Sequence, residues 1–74
     1  MDVNINKARI RFLRESAGIH QADLADAVGV DPRFISHIET GKRDPSVKIL
    51  ARIAKELNIT MDELIIISEP TEAV

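Results

Sequence analysis

Turn residues at Gly18, Gly29, Gly41 and Asn58 cut the chain into segments of only two or three helical turns. Each follows a stretch of helical periodicity, and Gly or Asn just past a helix end takes up the left-handed conformation that closes it. In the first segment Ile10, Leu13 and Ala17 recur at the i, i+3, i+7 spacing of a buried stripe, and Leu24, Ala25 and Val28 do the same in the second. The cleanest stripe is Leu50, Ile53, Ala54 and Leu57, opened by Ser46 as N-cap just after Pro45. A last short helix is expected from Thr60, where T-M-D-E places Glu63 to complete a capping box. No strand pattern or repeat is evident. The expectation is all-α: a compact five-helix bundle over residues 1–68, with the acidic tail 69–74 disordered.

Seventy-four residues suffice for one domain with one modest core. The chain has no cysteine, so neither a disulfide framework nor a thiolate metal site can staple it. No apolar run approaches the roughly 20 residues that span a bilayer, which argues against a membrane role. The start, MDVNINKAR, lacks an apolar signal core, so a cytoplasmic location is expected. The net charge of -2 conceals an asymmetry. Residues 1–55 hold ten Lys and Arg against seven Asp and Glu, a net +3; residues 56–74 hold five acids and no base, a net -5. The local field matters more than the total, so the body of the chain can favour a polyanion while its end avoids one.

The segment Gln21–Thr40 is the most informative. A helix of about two turns, Gln21–Val28, is followed by Gly29 and a second helix, Asp31–Thr40, with the short joint of a helix-turn-helix. Counted from Gln21, Ala25 is fifth, Gly29 ninth and Ile35 fifteenth. A small residue at Ala25 lets the second helix cross closely, Gly29 can adopt positive φ, and Ile35 fills the space between the helices. On a helical wheel Ile35 and Ile38 point to the core, while Arg33, Ser36, His37 and Thr40 share the opposite side. Taken alone, that side is simply an exposed polar stripe. Together with the Ala25–Gly29–Ile35 spacing it becomes a face for reading another molecule.

These residues carry a resemblance. Gln21, Leu24-Ala25, Gly29-Val30, the block Ile35-Ser36-His37-Ile38-Glu39-Thr40-Gly41-Lys42, Pro45-Ser46 and Ile53-Ala54 are similar to the XRE family of Cro/phage-repressor-type helix-turn-helix domains, over roughly Ala8 to Leu64. The resemblance implies a lambda-repressor-like fold that binds duplex DNA sequence-specifically, needs no cofactor or metal, and regulates transcription as a repressor or autoregulator. Carried over by position, Asp31, Pro32, Arg33, Ser36 and His37 would face the bases of the major groove. Gln21, Thr40, Lys42 and Arg43 would hold phosphates, positioning the domain without reading sequence. Arg14 and Glu39 would pair as a structural buttress for the reading helix. Domains of this kind read palindromic operators as homodimers, and Phe12 with Leu64, Ile65, Ile66 and Ile67 of the C-terminal helix would form the dimer interface. The acidic, Ile-rich end also suits an alternative role, an antitoxin or similar module whose C-terminal segment holds a protein partner.

Two positions depart from the family pattern. His20 stands where Ser or Thr usually caps the second helix, and Asp31 stands where a neutral cap is common. An enzymatic reading finds no footing: Ser36 and His37 are adjacent on one helix, so their side chains diverge, and no carboxylate is placed to orient His37. Two Phe and no Trp or Tyr offer no platform for stacking single-stranded bases.

Overall fold

The computed structural model describes residues 2–68, with side chains from Asn4 to Ile66; the expected disordered tail 69–74 lies outside the described residues. The order is β1 (Asp2–Ile5), α1 (Lys7–Ser16), α2 (Gln21–Val28), α3 (Pro32–Thr40), α4 (Val47–Glu56), a single 3-10 turn (Met61–Leu64) and β2 (Ile65–Ser68). Among the described residues there are therefore four α-helices, where five were expected.

Each helix begins and ends for an identifiable reason. The Asn6 side chain accepts from the Arg9 amide (3.1 Å) to open α1, and Ser46 accepts from Ile49 (3.2 Å) to open α4. Gly29 (φ +87°) ends α2 and Gly41 (φ +84°) ends α3. At the latter the Lys42 amide donates to the His37 carbonyl (2.8 Å) and the Gly41 amide to that of Ile38 (3.2 Å), a doubly closed left-handed cap. Asn58, at φ +59°, turns the chain after α4.

The core gathers Ile10 from α1, Leu24, Ala25 and Val28 from α2, Ile35 and Ile38 from α3, Leu50, Ile53 and Ala54 from α4, and Leu64. Phe34, half-buried, packs at its edge. Ala17 does not join it. The first helix stops at Ser16 and the chain turns at Gly18, which leaves Ala17 exposed; Arg14 takes the buried place beside Ile10.

The C-terminal segment differs most from expectation. Glu63 does reach back to the Thr60 amide (3.5 Å), but the helix it starts lasts one turn. The following Ile65-Ile66-Ile67 run is β-branched, and such side chains lose rotamer freedom in a helix while fitting a pleated surface. It pairs antiparallel with β1, from Asp2 opposite Ser68 to Ile5 opposite Ile65. The Asn6 amide donates to the Leu64 carbonyl (2.8 Å), fixing where the two strands meet the helices.

This placement corrects the expected dimer surface. Leu64 is fully buried within its own chain and Ile65 half-buried against the core, so neither is free for a partner. Ile67's side chain lies outside the described residues. Phe12 does not pack on the isoleucine run; its ring is exposed, with the Arg9 guanidinium 5.9 Å from the centroid. Leu64→Ala should therefore lower unfolding free energy by ~2–5 kcal/mol in urea titration at any protein concentration. A domain of this size has only about 4–11 kcal/mol in total. A loss that vanished on dilution to monomer would instead make Leu64 an interface residue.

Candidate nucleic-acid interface

The exposed side of the α2–α3 unit is held from beneath by one polar cluster. Arg14 reaches from α1 to Glu39 on α3 with two parallel donors, Nε to Oε2 at 2.7 Å and Nη2 to Oε1 at 3.1 Å. Its remaining arm, Nη1, donates to the Ile19 carbonyl in the α1–α2 connection (2.7 Å). The carboxylate also accepts from Gln21 Nε2, the first side chain of α2 (3.0 Å). Both charged side chains are nearly closed off from solvent, at 8% and 2% exposure. Among the described residues no buried side-chain polar atom lacks a partner. The hydrogen bonds to Glu39, and secondarily its charge and that of Glu15, hold the Arg14 guanidinium above its ordinary pKa against the opposing effect of burial. The Arg14 guanidinium thus remains a cation inside the fold.

The Gln21 contact could not be anticipated from spacing. The family resemblance implies a phosphate contact for Gln21, yet its carboxamide already donates one N–H to Glu39. The second N–H and the Oε1 acceptor remain, and only the N–H suits a phosphate. His20 occupies the N-cap position of α2 without a side-chain hydrogen bond to it. The first amides of α2 are thereby left without a side-chain cap.

At the head of α3, Asp31 Oδ1 accepts from the Arg33 amide at 2.8 Å, and Pro32 fills the first helical position, where no N–H is needed. The same oxygen lies 3.5 Å from Arg33 Nε. Both side chains are exposed, so this ion pair contributes little stability. It does leave the terminal amino groups of Arg33 free. Ser36 and His37 follow on the same side, half-buried. Thr40 is exposed, but its hydroxyl donates back to the Ser36 carbonyl (3.0 Å) and must rotate to donate to any ligand. Lys42 and Arg43 are exposed in the loop beyond, with no ion pair among the described residues.

The helix-turn-helix family profile matches residues 10–64, most of the chain. The chain belongs to the XRE-type helix-turn-helix family. Among its relatives in this family is a protein of Mycobacterium tuberculosis named an uncharacterised HTH-type transcriptional regulator, 38% identical over 66 residues. The match covers 85% of this chain but 47% of that one, so the chain spans about half the length of that relative. YazB of Bacillus subtilis, also named an uncharacterised HTH-type transcriptional regulator, is 39% identical over 64 residues, covering 86% of this chain and 93% of its own. Among solved structures, the P22 c2 repressor in complex with a synthetic operator superposes with a TM-score of 0.74 at 32% identity, over 80% of this chain and 89% of that one.

In this XRE-family domain neither partner of the buried pair should be removable alone, whereas removal of both together should be far better tolerated. Arg14→Leu leaves a buried, uncompensated carboxylate and should cost ~3–5 kcal/mol in urea unfolding. Adding Glu39→Leu should recover most of that loss. Additive losses in the double variant would show that the two residues act independently.

Proposed function

We propose that this domain binds duplex DNA sequence-specifically, with α3 in the major groove, as a transcriptional regulator of the repressor or autoregulator kind. The observation that carries the reading is the arrangement of α3. Its inner side is fixed by Ile35, Ile38 and the Arg14–Glu39 pair, and its outer side presents Arg33, Ser36 and His37 with Lys42 and Arg43 just beyond. Arg33 can give two parallel donors to guanine O6 and N7, a contact worth ~1–3 kcal/mol of discrimination. Lys42 and Arg43 supply charge without base information and belong on phosphates, with Gln21 and Thr40 alongside. The P22 c2 repressor, solved on an operator, lends support through the same fold.

The corresponding quaternary proposal is a homodimer reading a palindromic operator, its half-sites about 34–36 Å apart. Its surface would draw on Phe12 and Ile66, large apolar side chains left 60% and 45% exposed. A protein partner at the same strand is the second reading, favoured by the exposure of Ile66 at an acidic end; co-purification would distinguish it from self-association. No helix among the described residues is long and apolar enough to cross a membrane. A cytoplasmic location fits the proposal.

Selection from random duplexes followed by binding titrations tests the assignment. Arg33→Ala should flatten base preference at its own position, whereas Lys42→Ala should weaken every sequence alike. The latter should also make the log K versus log salt slope shallower by about 0.9. If both variants bind the selected site as the parent does, the face is wrongly assigned. Asp31→Ser keeps a good helix cap while removing the carboxylate. It should tighten binding to random DNA more than to the selected site, and equal tightening on both would reduce Asp31 to a cap alone.

A further inference from the structure

The cations so far placed at the DNA backbone lie in the loop after α3, but a third approaches that loop from elsewhere in the chain. We propose that Lys7, the first residue of α1, is a further phosphate contact; the inference rests on the reading that Lys42 and Arg43 hold the DNA backbone.

Lys7 is poorly placed to serve its own helix. The first turn of α1 contains no acidic residue, and a cation there sits at the positive end of the helix dipole, where it destabilises. Nor does its side chain run straight out into solvent. It lies across Gly41, filling the space a side chain there would need: a Cβ on Gly41 would stand 2.8 Å from Lys7 Nζ, 3.2 Å from Cε and 3.3 Å from Cδ. Gly41 is thus doubly constrained, by its φ of +84° and by the lysine resting on it.

The consequence is electrostatic. Gly41 immediately precedes Lys42 and Arg43, so the Lys7 ammonium is delivered to the same short loop although it lies 35 positions earlier in the chain. It makes no ion pair among the described residues. It borders a depression of about 400 Å³ shared with Asn6, Gly41 and Asp44, where Asp44 is the lone carboxylate among the lining residues. Three cations against one acid make this corner a net positive surface next to the reading helix. A lysine suits the task because its compact charge engages a phosphate without demanding a fixed base geometry. The polyanion already proposed for α3 is the occupant the charge favours.

The test is a salt titration of the full chain on duplex DNA with Lys7→Gln, which removes the charge and keeps most of the stem. Loss of one phosphate contact should make the log–log slope shallower by about 0.9 and weaken binding at 0.1 M salt roughly eightfold on selected and random sequences alike. Lys7→Arg should retain the parental slope. The Tm of Lys7→Gln should equal or exceed the parent's, since a cation leaves the unfavourable end of α1. A parental slope in Lys7→Gln beside a shallower one in Lys42→Ala would overturn the role of Lys7 and leave the proposed function standing. A parental slope with a lowered Tm would make Lys7 a structural residue instead. Parental slopes in both variants, or no duplex binding by the parent chain, would overturn both readings.

Discussion

Everything on the outer face of this domain depends on the buried contact between Arg14 and Glu39. Apolar side chains such as Ile35 and Ile38 hold α3 against the core, but dispersion and burial are nearly indifferent to small rotations. A planar guanidinium meeting a carboxylate through two parallel hydrogen bonds is not indifferent. With its third arm on the Ile19 carbonyl and Gln21 on the far side of the carboxylate, the cluster ties α1, the α1–α2 connection, α2 and α3 to one point. Removing two charges from water is expensive, and the expense is offset only because the hydrogen-bonding capacity of the cluster is met. What results is a fixed attitude of α3 relative to α2, which a reading helix needs more than it needs extra stability.

Much of this is legible in the sequence itself. Ala25, Gly29 and Ile35 have steric duties that only one joint geometry satisfies, and the structure places two of them in the core and the third at the αL end of α2. Capping chemistry was equally legible at Asp31-Pro32 and at Ser46, because short polar side chains before a periodic run have few other uses. The ends of the chain were not. D-V-N-I and I-I-I-S are each too short to display alternation, and a strand of four residues shows itself only through its partner, 60 or more positions away. The T-M-D-E box correctly marked a start but carried no information about length. Ala17 failed for a related reason, since wheel positions say nothing of the turn at which the wheel stops. The Gln21–Glu39 bond joins residues 18 positions apart on different helices, beyond the reach of any local pattern.

The charge arrangement around α3 carries a compromise. Asp31 caps the helix and sits beside Arg33, so a negative group is built into the tip of the element proposed to read DNA. On the proposed reading, general attraction would come from the periphery, from the loop after Gly41 and the side chain that rests on that glycine. Such a separation of duties would leave the bases to decide where the domain settles and backbone charge to decide how firmly it stays.

The pairing of Asp2 with Ser68 makes the described chain a ring closed by hydrogen bonds. Closing so long a loop is entropically the most demanding step available to it, and contacts of that sequence separation form after local helices have settled. The small sheet is therefore expected to be the last part to zip and the first to open, independently of the helical body. It also sets the two ends of the described chain side by side. Anything joined to one end therefore leaves the domain beside anything joined to the other.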